Sequence, residues 1–413
     1  MSSDIPKPLH CISGKPMLNW VIDANKAANI KKSIIVLPRD SEAFRDIIGK
    51  FDTVTQPKPL GTGDAVKKAV TLLKNFNGVI IVCFADTPFI SKKSIKKIIS
   101  KCKSDTKLVI TGFKKTVKNN YGKIIFSSKN EPIEIIEQKN TYNKKIESEF
   151  CNSGIMAFHS SAMSYLDKIQ KNIISNEYYL TDLVKIMNKD KQKISFVEVQ
   201  ENEVIGVNDQ IDLSIAENIS QKFLREKAML NGSKLIAPET VFFNYDTKIC
   251  RNVTIYPNVV FGKKVVIRPF VQINSFSHLE DCEIKENSII GPFARIRGNS
   301  KIGENSKVGN FVEIKKSNIH DKVKINHLSY IGDTKIGSLT NIGAGTITCN
   351  FDGQNKNETK IGKNSFIGSN STIIAPIKIG DNVTLGAGSV FNKKIPNNTL
   401  SIGRAHQINK RKK

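Results

Sequence analysis

From Ile284 to Ile314, and again from Ile361 to Leu385, an aliphatic residue returns every six positions. Ile284, Ile290, Ile296, Ile302, Val308 and Ile314 form one run, and Ile361, Ile367, Ile373, Ile379 and Leu385 a second. Several are followed at once by glycine, as in Ile302-Gly303 and Leu385-Gly386. A helical face returns every three or four residues and a half-buried strand every two, so six fits neither alone. It fits a short strand that points one aliphatic side chain inward, followed by a tight corner where Gly, Asn or Asp takes φ > 0. Repeated, that unit stacks into a parallel β-solenoid, for which a hexapeptide period is a signature. Val253, Val259, Val265 and Val271 are an early instance, so the solenoid is expected from about Ser233 onward.

The first half alternates helix and strand instead. Residues 16–29 read as a helix with Met17, Val21, Ala24 and Ala28 on one face. A strand over 33–37, a helix over 43–48 and a strand over 53–56 lead into the loop 57–63. A helix over 64–73 and a continuously apolar strand over 78–83 follow. Such a run suits a strand buried on both faces, which predicts a parallel sheet covered by helices. Ligands of open α/β sheets sit beyond the C-terminal strand ends, and Asp86 occupies such a position. Further strands are expected over 108–113, 123–126, 133–137, 154–158 and 194–199, with a helical segment over 178–187. Ile211, Ile215, Ile219 and Phe223 then repeat every four residues, one stripe of a connecting helix that Asn231-Gly232 would stop.

Length and charge sharpen this outline. At 413 residues two domains are expected. The formal net charge of +25 raises a nucleic-acid partner, but the lysines are spread over the whole chain, as a compositional bias would produce. The densest basic cluster, Lys410-Arg411-Lys412-Lys413, reads as a solvated tail. Seven cysteines without a Cys-x-x-Cys pair suit reduced thiols in a cytoplasmic protein rather than disulfides or a zinc site. No apolar run approaches the length of a membrane span and no signal peptide opens the sequence, so neither a membrane nor a nucleic-acid partner is expected.

Several stretches carry a family resemblance. They are Leu60-Gly61-Thr62-Gly63, Gly206-Val207-Asn208, Gly291-Pro292-Phe293-Ala294-Arg295, Gly309-Asn310-Phe311-Val312-Glu313 and the run from Asn341 to Asn350. Together they resemble the bifunctional N-acetylglucosamine-1-phosphate uridyltransferase / glucosamine-1-phosphate acetyltransferase of bacteria. The resemblance runs from Ser3-Asp4-Ile5-Pro6-Lys7 to Arg404. It implies an α/β nucleotidyltransferase (Rossmann-like) domain over 1–208 and a linker helix over 209–232. A left-handed parallel β-helix of hexapeptide repeats over 233–405 and a basic tail over 406–413 complete it. The left hand comes from the resemblance only. Acetyl transfer from acetyl-CoA to glucosamine 1-phosphate is implied for the second half. Uridylyl transfer from UTP, with Mg²⁺, is implied for the first, in a homotrimer acting on small-molecule substrates.

The resemblance also implies residue roles. His327, in Asn326-His327-Leu328-Ser329-Tyr330, matches the base that takes the proton of the sugar amine, a task suited to histidine near neutral pH. A lone histidine in a solenoid corner is otherwise more often structural; the motif reverses that. Arg297, Lys315 and Lys356 match contacts to the sugar phosphate, with Tyr330 and Asn341 beside them. Ala344, Asn350, Phe351, Ser369, Ala387 and Arg404 match the acetyl-CoA positions. In the first half Asp86 and Asn208 match the metal ligands and Lys7 the lysine that meets the nucleotide phosphates. Gln56, Gly61 and Thr62 match the uracil side, and Gly122, Glu137 and Asn152 the sugar side.

Three departures stand out. The family has Tyr where this chain has Phe351, which keeps the ring and loses a hydroxyl, so tuned binding is expected. Phe84-Ala85 replaces the usual Tyr-Gly, and Ala85 is expected to add a methyl close to the ligand. The family also opens with a strand and a glycine-rich loop that cradles the triphosphate, and this chain begins at about that loop's last residue. Its absence would leave a gap in the sheet. Either the start lies upstream or this is a form reduced to acetyl transfer; the retained Lys7, Asp86, Asn208 and Gly61-Thr62 favour the first.

Overall fold

A computed structural model describes residues 1–49, 51–114, 121–137 and 148–411. The chain divides into two compact units, Met1–Ala216 and Glu217–Lys413.

In the first unit the hairpin β1 (Cys11–Ile12) and β2 (Lys15–Pro16) leads into α1 (Met17–Ala27). Met17 and Val21 of the expected stripe are buried there, joined by Leu18 and Ile22. β3 (Ile34–Pro38), α2 (Arg45–Ile48), β4 (Asp52–Gln56), α3 (Thr62–Val70) and β5 (Val79–Val82) follow close to their expected places. The next helix, α4 (Lys92–Lys101), has no counterpart in the sequence reading. Its lysines mask the signals that were present: Ile95 and Ile98 are buried, and the Ser91 side chain accepts the Ser94 N–H at 3.1 Å as an N-cap.

β6 (Thr106–Lys114), β7 (Lys123–Phe126), β8 (Pro132–Ile136), β9 (Phe150–His159), α5 (Asp182–Lys189) and β10 (Lys193–Glu198) complete the unit. The main sheet runs β10-β6-β9-β7-β8, with β5 also on β9. β10 and β6 are parallel, but β9 is antiparallel to β5, β6 and β7. The sheet is therefore mixed, which corrects the expectation of a parallel one. An apolar run reports burial on both faces, and a central strand of either direction satisfies that. β3 and β4 form a separate two-stranded parallel ladder. Among the described residues β5 is laddered to β9 alone, and its four residues are half-buried rather than enclosed as their run predicts.

The second unit opens within α6 (Gln210–Leu230). The helix forms as expected, but Ile211, Ile215 and Phe223 of the expected stripe are 72%, 45% and 59% exposed. Ala216, Ser220, Gln221 and Ala228 are buried instead. Backbone partners explain the reversal. Gln221 donates to the Phe243 carbonyl at 2.7 Å and accepts from its N–H at 2.8 Å, and Arg225 Nε donates to the Val241 carbonyl at 2.9 Å. A polar face can be the inner one when it satisfies backbone groups.

The six-residue beat builds the rest. Ile284, Ile290, Ile296, Ile302, Val308 and Ile314 are all fully buried. The strands stack into three parallel sheets of ten, eight and eight strands, a triangular β-helix. Register partners such as Ile273, Ile290, Val308, Ile325 and Ile342 lie 17 or 18 positions apart, one rung of three sides. Between Ile342 and Ile367 the interval grows to 25, because residues 350–357 bulge out of the rung.

The corners depart from expectation at one edge. Asparagines such as Asn287, Asn305 and Asn364 take positive φ as anticipated, but so do Phe276, Phe293, Phe311 and Leu328. The rings of Phe276 and Phe293 stack at 4.8 Å and those of Phe293 and Phe311 at 5.1 Å. Each stacked pair contributes about 0.5–1.5 kcal/mol. That is comparable to the roughly 1–2 kcal/mol cost of the left-handed conformation. No cysteine is in a disulfide, and no described helix is long and apolar enough to cross a membrane.

Candidate active sites

Lys7, Asp86 and Asn208 converge in the first unit. Asp86 follows β5, and its carbonyl accepts the Val207 N–H at 2.9 Å, which brings the 206–208 segment alongside. Lys7 Nζ donates to Asp86 Oδ2 at 2.5 Å and to Asn208 Oδ1 at 2.9 Å. One ammonium thus lies between two oxygens drawn from distant positions. That arrangement stands in for a cation, and a carboxylate with an amide oxygen suits a hard divalent ion completed by water and phosphate oxygens. Among the described residues no group of three or more His, Cys, Asp or Glu could hold a metal by itself.

The loop 60–63 is fastened to 178–180. Tyr178 N donates to the Leu60 carbonyl at 2.7 Å, Gly63 N to the Tyr178 carbonyl at 2.8 Å, and Leu180 N to Thr62 Oγ1 at 3.1 Å. Gly61 sits at φ +100°, and a Cβ there would lie 2.5 Å from the Tyr178 carbonyl oxygen, so only glycine fits. Gln56 Nε2 donates to the Gly61 carbonyl at 3.1 Å and to Asp64 Oδ2 at 2.7 Å. Gly122, Glu137 and Asn152 also meet. Asn152 N donates to the Gly122 carbonyl at 2.8 Å, and a Cβ on Gly122 would lie 3.2 Å from Glu137 Oε2. Thr181 Oγ1 donates to Glu137 Oε1 at 2.9 Å. Burial, then the Glu137 carboxylate, hold the neighbouring Asp182 above the usual carboxylate range. Ala85 packs against the apolar cluster of Leu18, Ile22, Leu37 and Phe44. Phe84 lies where any side chain on Gly154 would stand.

In the β-helix, Arg297 and Lys315 are register partners one rung apart, followed by Gly332. The Tyr330 ring covers Gly332, where a Cβ would lie 2.6 Å from the phenol oxygen. Arg297 Nε donates to Glu313 Oε1 at 2.7 Å. The Lys356 side chain holds the Lys315 ammonium below the usual lysine range, with burial adding to the effect, Asp333 opposing it, and Arg297 contributing further repulsion. Three cations are therefore crowded together, an arrangement that an anion would relieve. His327 is exposed at the end of the strand Lys324–His327, its Nδ1 2.6 Å from Asn310 Oδ1. Asn341 is the register partner of Lys324 on the next rung.

Ala344, Ser369 and Ala387 line up on successive rungs. Asn370 N donates to the Ala344 carbonyl at 2.7 Å, Gly388 N to the Ser369 carbonyl at 2.8 Å, and Arg404 Nη1 to the Ala387 carbonyl. Cβ atoms on Gly343 and Gly368 would lie 2.5 Å from the Ser369 and Ala387 nitrogens, so this edge stays low and narrow. Asn350 is buried, and its Nδ2 donates to Asp333 Oδ2 at 2.5 Å. Phe351 is exposed on the bulged loop, bridged across it to Lys356.

Asp333 is not named among the motifs, and Asn310 and Glu313 appear there only within the 309–313 stretch, with no role of their own. Asp333, only 9% exposed, lies 3.8 Å from Lys315 Nζ and 3.4 Å from Lys316 Nζ and also accepts from Asn350. It joins the sugar-phosphate candidates to the acetyl-CoA candidates. A cavity of about 340 Å³ is lined by Lys301, Lys316, Asp333, Lys335, Lys356 and Glu358, among others. A signal existed. Once six residues make one side of a triangle, residues 17 or 18 apart are neighbours, as Asn310 and His327 or Asp333 and Asn350 are.

Residues 1–204 match the nucleotidyl transferase family, and residues 281–316 and 358–393 match the bacterial transferase hexapeptide family of six repeats. The bifunctional protein GlmU of Wolbachia pipientis wMel is 42% identical over 418 residues, covering 100% of this chain and 95% of the relative. That of Zymomonas mobilis is 40% identical over 417 residues, with 99% and 93% covered. That of Paramagnetospirillum magneticum is 39% identical over 411 residues, with 99% and 91% covered. Both matched families lie in the order that the two folded units require, and the likeness spans both of them: the chain belongs to the family of bifunctional GlmU proteins.

Proposed function

We propose that the two units carry the two activities of a bifunctional sugar-phosphate enzyme at the sites described above. The second unit transfers the acetyl group of acetyl-CoA to glucosamine 1-phosphate. The first transfers the uridylyl group of UTP to N-acetylglucosamine 1-phosphate, giving UDP-N-acetylglucosamine and pyrophosphate. In this reading residues 1–208 form the nucleotidyltransferase domain, 209–232 a linker helix, 233–405 the left-handed β-helix and 406–413 a basic tail.

The observation that carries the acetyltransferase reading is the crowding of Lys315, Lys356 and Arg297. Cations forced together in a half-buried place suit a phosphate, which neutralises their repulsion. His327 is the base, and Tyr330 and Asn341 flank the sugar. Acetyl-CoA lies along the edge of Ala344, Ser369 and Ala387, with Asn350 and Phe351 on the loop side and Arg404 toward a CoA phosphate. The step balances. The sugar ammonium loses one proton to solvent, the amine nitrogen bonds to the thioester carbon, and the C–S bond breaks. His327 passes the second nitrogen proton to the leaving thiolate.

In the first unit Asp86 and Asn208 would hold Mg²⁺, and the charge neutralisation it would supply suits phosphoryl transfer by in-line displacement. Lys7 meets the nucleotide phosphates, Gln56, Gly61 and Thr62 the uracil side, and Gly122, Glu137 and Asn152 the sugar. The convergence of Lys7, Asp86 and Asn208 supports a working site over a purely structural unit. The exposed column of Phe276, Phe293, Phe311 and Leu328 supports a homotrimer. The absence of disulfides suits a reducing, cytoplasmic setting.

Two variants separate the halves. His327→Ala should lower acetyl transfer by roughly 10²–10⁴-fold while UDP-N-acetylglucosamine formation from supplied N-acetylglucosamine 1-phosphate continues. Asp86→Ala should do the reverse. Following both products by mass spectrometry checks this, and wild-type acetylation by His327→Ala would remove the histidine from its role.

A further inference from the structure

We propose that Asn310 is a positioning residue for acetyl transfer, holding the His327 imidazole in the tautomer that leaves Nε2 available to accept the proton of the sugar amine. The proposal rests on the reading of His327 as the base.

Asn310 and His327 are register partners on adjacent rungs of one sheet. Asn310 grips the histidine segment twice: its carbonyl accepts the Leu328 N–H at 3.0 Å, and its side-chain Oδ1 lies 2.6 Å from His327 Nδ1. An amide oxygen can only accept, so Nδ1 must carry the hydrogen. In a neutral ring the other nitrogen then carries the lone pair, and His327 Nε2 makes no hydrogen bond among the described residues. An unassisted imidazole prefers the opposite tautomer, with the proton on Nε2, which cannot act as a base from that atom. Asn310 supplies the bias without adding a charge.

The backbone is fixed by the same rung. A Cβ on Gly309 would lie 1.9 Å from the Asn326 carbonyl oxygen, so glycine alone allows the two rungs to close where His327 begins. Ser329 Oγ donates to the His327 carbonyl at 2.9 Å and secures the far side. The Gly309-Asn310 pair of the 309–313 stretch therefore acts through His327 and not on substrate. In the transfer itself Nε2 takes one proton from the amine nitrogen as the C–N bond forms. That proton is returned to the sulfur as the C–S bond breaks, leaving free CoA thiol, and Asn310 stays hydrogen-bonded to Nδ1 throughout.

The test uses the full chain with ¹⁵N-labelled histidine. Ring-nitrogen chemical shifts, assigned by comparison with His327→Ala, read the tautomer. Wild type should show His327 protonated on Nδ1 in its neutral form; a wild-type ring protonated on Nε2 would overturn the proposal whether or not any variant folds. Asn310→Ala should move the proton toward Nε2 and lower kcat roughly tenfold or more, a part of what a general base contributes, with KM for glucosamine 1-phosphate little changed. Asn310→Asp, which keeps an accepting oxygen, should restore both the Nδ1 tautomer and most of kcat. A folded Asn310→Ala with wild-type kcat and an unchanged tautomer would also refute it. If His327→Ala itself acetylates at the wild-type rate, the reading of the base fails, which is a separate outcome from failure of Asn310.

Discussion

At the residue scale, the sugar-phosphate candidates trade stability for charge. Lys315 holds its proton less tightly in the fold than in the unfolded chain, first because of Lys356 and then because of burial, with Asp333 opposing both. The charged form is thus disfavoured by folding. Its cost is present at every pH below the depressed folded value, neutrality included. It is relieved as the pH rises through that value toward the unfolded lysine value of about 10.4. Lys356→Met removes the largest cause. It should raise the melting temperature at neutral pH by about 2 °C, with the gain shrinking toward alkaline pH, while weakening the response to added glucosamine 1-phosphate. Thermal melts across pH, with and without the sugar phosphate, check both arms. A melting temperature that falls at neutral pH would show that Lys356 stabilises the fold.

At the scale of the element, the strand and its corner set what each position tolerates. The rung of Lys307–Asn310 passes so close to that of Lys324–His327 that Gly309 has no room for a methyl group. The obstacle is a backbone carbonyl, which cannot rotate away as a side chain tip could. Gly309→Ala should destabilise the unit by about 1–3 kcal/mol and reduce acetyl transfer, because the displaced residue, Asn326, precedes His327. Denaturant unfolding followed by circular dichroism measures the first effect. Aliphatic positions in these strands were legible from the six-residue beat because each strand is short and offers one inward place. α6 was harder to read. Its four-residue stripe of Ile211, Ile215 and Phe223 is real in the sequence, yet the buried side is the one bearing Gln221 and its two hydrogen bonds to Phe243. Periodicity finds a helix; which face turns inward depends on partners far along the chain.

For the whole molecule, the exposed phenylalanine column is the feature that a lone chain leaves unexplained. Phe276, Phe293 and Phe311 stay more than two-fifths exposed while stacking on one another, and Leu328 continues the column beside His327. In a homotrimer that edge would be covered. Phe293→Glu should shift the assembly toward monomer in sedimentation velocity and lower acetyl transfer, because two stacking contacts and the apolar edge are lost together. A trimer of wild-type stability would place the interface elsewhere on the β-helix.

The sequence by itself determined the order of two units, the parallel β-solenoid and most strands of the first half. These depend on local spacing, which the chain carries at separations of two to six residues. It also carried, through motifs, His327, Arg297, Lys315 and Asp86 as candidates. Only the tertiary structure decided that β9 runs antiparallel, that β5 is laddered on one side among the described residues, and that Lys7 lies between Asp86 and Asn208. It also decided that Asn310 faces His327 and that Asp333 links Lys315 to Asn350. These are contacts between residues far apart in the chain or on neighbouring rungs, and a hydrophobic pattern records whether a side chain is buried but not what it meets there.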